Sequence, residues 1–243
     1  MLRLPMISFI VPAYNEECLL GATLDALHAA ARALGEPYEL VVADDASTDR
    51  TALVAQQHGA QLVRVAHRQI AATRNSGARA TTGELLIFVD ADTLVNEAVV
   101  RAAVQAMREG AVGGGAAIRF DGRVPWFARL SLPLLVGFFR IAGLAAGCFV
   151  FSTRAAFEAV GGFDESYFGA EELVFSRALK RQGAFVILRQ AVTTSARKFR
   201  THSLGEVLLT MLRLALRGPK AVRQRQGMEF WYDGRRDEPP PTP

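Results

Sequence analysis

Asp90-Ala91-Asp92 places two carboxylates one residue apart, directly after the apolar run Leu85-Leu86-Ile87-Phe88-Val89. In an extended chain residues i and i+2 project from the same side, so both acids face one small volume at a strand end. Hard divalent cations prefer such oxygen donors, and Mg2+ commonly takes only one or two protein carboxylates, filling its other positions with water and substrate phosphates. The pair therefore suggests a handler of nucleoside diphosphates with Mg2+ or Mn2+ as cofactor. An ordinary strand-to-helix turn, in which Asp92 or Asn96 caps the next helix, uses the same residues. Features elsewhere in the chain have to decide between the two.

Positioning such a pair takes a scaffold, and the chain alternates apolar strand-like runs with helical patterns. Met6 to Val11 reads as a first strand. A helix is expected from near Asn15, with Glu16 and Glu17 in its first turn, Leu20, Leu24, Leu27, Ala31 and Leu34 on one face, and Gly35 as its stop. Glu39 to Ala43 is the second strand, and Ser47, Thr48 and Asp49 offer caps for a helix reaching about Gly59. Gln61 to Ala66 is a third strand, Ile70 to Ala80 a third helix, and Glu84 to Val89 the strand that leads into the acid pair. This order predicts an α/β fold with a mostly parallel central sheet and helices on both faces. Ligands of such sheets sit beyond the carboxyl ends of the strands. Pro12 to Glu16, Asp44 to Asp49 and Asp90 to Asp92 all follow strands at that edge, so the three loops can line one pocket.

The turn after the first strand, Pro12-Ala13-Tyr14-Asn15-Glu16, carries a ring and an acid but no glycine. A dinucleotide fold would show Gly-x-Gly-x-x-Gly there, and a P-loop would show glycines with Lys and Ser or Thr. A sugar nucleotidyltransferase would likewise show a Gly-rich, Lys-bearing loop. Phosphate must then be held by a metal and side chains. Tyr14 either stacks on a nucleobase or packs over the sheet edge, and a carboxylate at Asp44 or Asp45 can accept a ring imide hydrogen.

Six segments in order, Pro12-Ala13-Tyr14-Asn15-Glu16, Asp44-Asp45-Ala46-Ser47-Thr48-Asp49, Arg74-Asn75-Ser76-Gly77, Asp90-Ala91-Asp92, Gly161-Gly162-Phe163-Asp164-Glu165 and Glu171-Glu172, resemble the family 2 glycosyltransferases of the GT-A fold over about residues 6–200. The resemblance implies one domain over residues 1–236, with a nucleotide-sugar-binding half to about residue 118 and an acceptor and catalytic-base half after it. It further implies transfer of a sugar from a UDP- or GDP-linked donor to an acceptor hydroxyl, on a glycan or a lipid-linked molecule. Pro12, Ala13, Tyr14, Glu16, Asp44 and Asp45 would surround base and ribose. Asp90 and Ala91 would lie near the ribose or the metal's water shell, and Asp92 would bind the metal. Arg74 would reach the nucleotide or pair with one of the acids. Asp164 would orient donor sugar or acceptor, or cap its turn. Arg197 and Lys198 would close over the diphosphate, or form a solvated basic face.

The second acid of the Glu171-Glu172 pair would be the base of a single inverting displacement, which by position is Glu172. Relatives usually have Glu-Asp here, and the departure allows a second reading as a sugar-nucleotide-binding protein without turnover. On a helical projection Glu171 is centred on the apolar face with Val174, Phe175, Ala178 and Leu179, and Glu172 lies to one side. The projection aims Glu171 inward, and the expected assignment is Glu172 as base with Glu171 as its support.

Composition adds bounds. At 243 residues, with 50% hydrophobic and 21% charged, the chain can bury a sizeable core, and no linker-like stretch divides it. Cys18 and Cys148 form no disulfide framework, which fits a reducing cytoplasm. The apolar start contains Pro5 and Pro12 and no cleavage-like site, so a strand is expected there and not a signal peptide. Net charge is +4, with ten Lys or Arg against three Asp or Glu between Arg197 and Arg236. No nucleic-acid motif accompanies that excess, so a phosphorylated ligand or an anionic membrane face is the expected partner. Leu130 to Phe139 is apolar but too short to span a bilayer. Val124 to Leu144 and Leu204 to Leu216 are expected helices, either buried or resting on a membrane surface. Phe230-Trp231-Tyr232-Asp233 is expected to clasp the fold, and residues 237–243 to be a disordered tail.

Overall fold

The computed structural model describes residues 5–122 and 143–197, together with residues 137, 201, 205–206 and 222–226. The helices expected at Val124 to Leu144 and Leu204 to Leu216 fall almost entirely outside the described residues. Lys198, the Phe230 to Asp233 cluster and the tail fall wholly outside them.

Strict alternation of buried side chains builds the sheet. In β1 (Ile7–Ala13), Ile7, Phe9 and Val11 face one core and Ile10 the other; in β4 (Leu85–Val89), Leu85, Ile87 and Val89 oppose Leu86 and Phe88 in the same way. Helices cover both faces. The first core takes the apolar stripes of α1 (Leu20–Leu34) and α4 (Glu97–Arg108). The second takes α3 (Ile70–Arg79), α5 (Arg154–Ala159) and α6 (Glu171–Lys180). With β2 (Tyr38–Asp45), α2 (Thr51–Gln57), β3 (Gln61–Val65), β5 (Thr93–Leu94), β6 (Gly113–Phe120), β7 (Phe149–Thr153) and β8 (Phe185–Thr194), the strand order is β3-β2-β1-β4-β7-β6-β8-β5.

The first half is parallel, as expected: β1 pairs in parallel with β2 and β4, and β2 with β3. The second half is mixed. β7 runs antiparallel to both β4 and β6, β6 runs parallel to β8, and β5 runs antiparallel to β8. β6 can pass this closely because it opens on Gly113-Gly114-Gly115; a Cβ on Gly114 would meet the Val186 carbonyl oxygen at 2.0 Å.

Two boundaries differ from the sequence expectation for one reason. α1 begins at Leu20 and not near Asn15, and α2 begins at Thr51. The residues expected to open them are cross-linked instead. Asn15 N–H donates to Ser47 Oγ (3.0 Å), Glu16 N–H to Thr51 Oγ1 (2.7 Å) and Glu17 N–H to Asp49 Oδ2 (3.1 Å), while Thr48 N–H donates to Asn15 Oδ1 (2.8 Å). Backbone donors satisfied by side chains of the other loop have no need of a helical turn. Asn15 takes a left-handed φ of 52° to make the lock. Pro12 and Ala13 accordingly belong to β1 and not to the loop after it. The β1–β4 pairing ends at Ile10↔Phe88, before Pro12, so a residue without an N–H is accommodated there.

α3 lies tight on the sheet because Gly77 faces it; a Cβ there would stand 2.5 Å from Ile10 Cγ2 and 3.4 Å from Ala43 Cβ. Gly77→Ala is expected to destabilise the fold, since overpacking of about 1–3 kcal/mol exceeds the ~1 kcal/mol that alanine gains in a helix interior. Urea unfolding checks this, and an unchanged midpoint would refute the tight approach.

Candidate active site

α3 is the rod around which the acids are arranged. Its N-terminus is gripped by Asp45, which accepts from Arg68 N–H (2.8 Å), Gln69 N–H (3.1 Å) and Thr73 Oγ1 (2.8 Å). Negative charge at that end is favoured by unpaired N–H groups and the helix dipole. Asp45 is thus committed to α3 in this structure. Asp44 is buried and accepts from Ser47 N–H at 3.1 Å, shaping the turn in which Ala46 adopts φ 57°.

Arg74, in the middle of α3, is 1% exposed. Its Nη1 donates to Glu171 Oε1 (2.7 Å), and its Nη2 donates to Asp90 Oδ1 (2.8 Å) and to the Gly147 carbonyl (2.8 Å). Of its two expected roles it takes the pairing with acids. Nε is left without a partner among the described residues; the three charge-assisted bonds at the far end offset that loss. Burial works against the guanidinium charge, but Asp90 and Glu171 outweigh it and hold Arg74 protonated beyond its ordinary range.

Glu171 is the acid that points inward. It is buried, at the start of α6, against Arg74. Beneath it Phe163 and Phe175 stack with centroids 4.1 Å apart, and Phe88 meets Phe163 edge-on at 5.0 Å, so the helix rests on a rigid aromatic floor. Glu172 is half-buried next to it. A Cβ on Gly147 would stand 3.4 Å from Arg74 Nη2 and 3.5 Å from Glu172 Cδ, which places the Glu172 carboxyl beside the same guanidinium. Burial first, and then the negative charge of Glu171, push the Glu172 carboxyl up to about 8, against the pull of Arg74.

The turn before α6 is pinned to α3. Phe163 N–H donates to Asn75 Oδ1 (2.9 Å), Asn75 Nδ2 donates to the Phe163 carbonyl (2.8 Å) and to Glu165 Oε1 (2.9 Å), and Gln69 Nε2 donates to the Tyr167 carbonyl (3.1 Å) and to the Glu165 carbonyl. Gly162, at φ 77°, lets Asn75 come that close: a Cβ would meet Asn75 Oδ1 at 2.6 Å. Asp164 is exposed and accepts from Ser166 N–H at 2.9 Å, which is the turn-capping role.

Across the sheet edge, Asp92 meets Arg197. β8 runs on to Thr194, pairs Thr194 with Thr93, and lets Ser195 N–H donate to the Asp92 carbonyl at 3.1 Å. That carries Arg197 to the acids. Its Nη2 lies 3.2 Å from Asp92 Oδ2, and both terminal nitrogens grip Glu16, Nη1 at 2.6 Å from Oε2. Glu16 is therefore bound to Arg197 here. Asn96, and not Asp92, caps α4, accepting from Val99 N–H at 3.0 Å. Ala91 is buried, and its carbonyl accepts from Thr23 Oγ1 at 2.9 Å. Tyr14 is half-buried with the Arg68 guanidinium 4.3 Å above its ring.

Sequence reasoning assigns no role to Arg68 or Gln69. The signal for Gln69 was present: with Thr73 it puts polar side chains four residues apart on a buried face of α3.

A divalent cation fits the donor chemistry of this edge. Asp90 and Asp92 offer hard oxygens, and Asp92 already accepts a cationic group, the Arg197 guanidinium. Among the described residues no three His, Cys, Asp or Glu converge as a complete ligand set. Water and phosphate oxygens would supply the remaining positions, as Mg2+ and Mn2+ readily allow.

This α/β sheet, with Asp90, Asp92, Glu171 and Glu172 gathered around two arginines at one edge, has the GT-A fold. The sequence model of Glycosyl transferase family 2 matches residues 8–157, and the chain belongs to that family. Validoxylamine A glucosyltransferase of Streptomyces hygroscopicus subsp. jinggangensis (strain 5008) is 26% identical, over 94% of this chain and 64% of its own length. An undecaprenyl-phosphate 4-deoxy-4-formamido-L-arabinose transferase of Edwardsiella ictaluri (strain 93-146) is 32% identical over 54% of this chain and 42% of its own length. The chain thus spans less than two thirds of these relatives. The mannosyltransferase PcManGT from Pyrobaculum calidifontis, solved with GDP-Man and Mn2+, shares the fold with a TM-score of 0.64 at 22% identity, over 90% of this chain and 65% of the other. S. aureus TarS 1-349, solved with UDP, does so with a TM-score of 0.62 at 20% identity, over 86% and 65%.

Proposed function

We propose that this chain is a metal-dependent, inverting glycosyltransferase that moves a sugar from a UDP- or GDP-linked donor to an acceptor hydroxyl, with Glu172 as the base. The observation that carries this reading is the Arg74 bridge. It joins the end of β4 to the start of α6, offsets one of the two charges on Asp90 and Glu171, and holds Glu172 beside them, where burial and the charge of Glu171 raise its proton affinity. A carboxylate with that affinity is suited to take a hydroxyl proton near neutral pH.

In the proposed step the acceptor O–H gives its proton to Glu172 while its oxygen bonds to the anomeric carbon. The bond from that carbon to the phosphate oxygen breaks, and its electron pair leaves on the nucleoside diphosphate. A bound divalent cation, held by Asp92 with Asp90 nearby, would stabilise the charge that grows on the departing diphosphate. Tyr14 and Arg68 are the groups for the base, since a ring and a guanidinium plane both stack on heterocycles. Glu171 keeps α6 in register through Arg74 and takes no proton. The acceptor class we propose is a glycan or lipid-linked hydroxyl, reached at an inner membrane face in the lipid case. Among the described residues no helix is long and apolar enough to cross a membrane, and the relatives include one named for a lipid phosphate and one for validoxylamine A.

UDP or GDP with Mn2+ at about 100 times its dissociation constant is expected to raise the melting temperature by roughly 5–10 °C. No shift with either nucleotide or its sugars, with and without Mn2+, would refute the reading. A non-catalytic binder of the same ligands would give the shift without transfer.

A further inference from the structure

We propose that Arg197 is an internal counter-ion: it occupies the cation position of Asp92 until a nucleoside diphosphate draws it away, so that the protein admits a divalent cation together with the nucleotide and not before it. This rests on the nucleotide-sugar reading above and adds an order of binding to it.

The two contacts of Arg197 are unequal. Both terminal nitrogens of Arg197 hold the Glu16 carboxylate, with Nη1 to Oε2 at 2.6 Å, whereas Arg197 reaches Asp92 through one nitrogen, Nη2, at 3.2 Å. Glu16 is itself fixed, because its N–H donates to Thr51 Oγ1 at 2.7 Å within the interlocked loops. Glu16 is the anchor, then, and Asp92 the contact that can open. The guanidinium is buried, with Asp92 side-chain exposure of 12% beside it, so water screens the pair poorly.

A guanidinium cannot discharge by losing its proton, and two cations on one carboxylate oxygen repel strongly at low dielectric. Arg197 and a metal ion on Asp92 Oδ2 therefore exclude one another. A phosphate offers the arginine fork the same two-oxygen partner that a carboxylate does. A diphosphate arriving at this edge gives Arg197 somewhere to go and removes its charge from Asp92 Oδ2, where the ion would bind. Asp90 has Oδ1 held by Arg74 at 2.8 Å and can share an ion only through its other oxygen, so it does not replace Asp92.

The test is a Mn2+ titration of the full chain, read by the electron paramagnetic resonance signal of free Mn2+, with and without UDP or GDP. Wild type is expected to bind Mn2+ weakly alone and more tightly with nucleotide. Arg197→Met is expected to bind Mn2+ alone about ten-fold or more tightly than wild type, the worth of one charge-assisted contact, and to gain correspondingly less from nucleotide. Arg197→Lys keeps a charge without the fork and is expected to fall between; it carries the comparison if the Met variant melts early. Asp92→Asn is expected to abolish the gain. Equal or weaker Mn2+ binding by both Arg197 variants overturns the proposal, as does Mn2+ binding that persists in Asp92→Asn. If nucleotide and Mn2+ bind wild type together and the Arg197 variants show no gain, the counter-ion role alone fails. If wild type binds neither, the nucleotide-sugar reading fails and takes this proposal with it.

Discussion

Glu172→Gln is expected to lower kcat by about 10²–10⁴-fold, the usual contribution of a positioned general base, with nucleoside diphosphate affinity nearly unchanged. Glutamine keeps the shape and removes the proton-accepting site. The pH dependence gives a second signature. A base must be deprotonated, so kcat/KM for wild type is expected to rise with pH through a limb near 8, where the Glu172 carboxyl titrates, and the residual activity of the variant is expected to lack that limb. Stability moves the opposite way. The folded carboxyl holds its proton above the ordinary 4.5, so between 4.5 and about 8 the folded state binds more protons than the unfolded one. Its contribution is complete below the unfolded value and is lost as pH rises through the folded value. The variant is therefore expected to melt higher than wild type above pH 8, each ~1 kcal/mol recovered raising the melting temperature by roughly 2–4 °C. Loss of nucleotide affinity equal to the loss of rate would show that Glu172 serves binding and not proton transfer.

Arg74→Met is expected to cost about 3–5 kcal/mol of folding stability, the penalty for removing one partner of a buried ion pair. The buried Glu171 carboxylate, 6% exposed, loses its counter-charge outright; Asp90, at 29%, is partly rescued by water. Replacing both partners, Arg74→Met with Glu171→Gln, is expected to recover much of the loss, because the uncompensated charge is what destabilises. Arg74→Lys is expected to fail as well, since an ammonium cannot span Asp90, Glu171 and the Gly147 carbonyl together. Urea unfolding of the single and double variants measures the coupling. A loss under about 1 kcal/mol for Arg74→Met would show the network to be no more than a surface-type pair.

These two residues mark where sequence reasoning stopped. The inward position of Glu171 was accessible from its neighbourhood, because helical projection centres it on the apolar face, whereas the choice of Glu172 as base came from the family resemblance. Burial of Glu171 against Arg74 then leaves Glu172 as the acid to its side. The role of Arg74 was not accessible, because nothing local separates an arginine that reaches a nucleotide from one that locks two carboxylates. Asp45 is a similar case. Its position at a strand end announced a site, but its commitment to the N-terminus of α3 depends on where that helix starts in space.

By itself the sequence determined what is short-range. Apolar alternation set which faces of β1 and β4 are buried, Gly35 and Asn96 ended and began helices as their side chains dictate, and acids after strands were placed at one edge. These follow from backbone periodicity and capping, which extend over a few residues. Tertiary structure alone decided the rest: the antiparallel β7 beside β4, the loop interlock that delays α1 to Leu20, and the meeting of Arg197 with Glu16 across 181 positions of chain. Ion pairs of that kind depend on the register and stacking of distant elements, and no local pattern carries that information, because the charge that completes each pair lies on a segment far away in the chain.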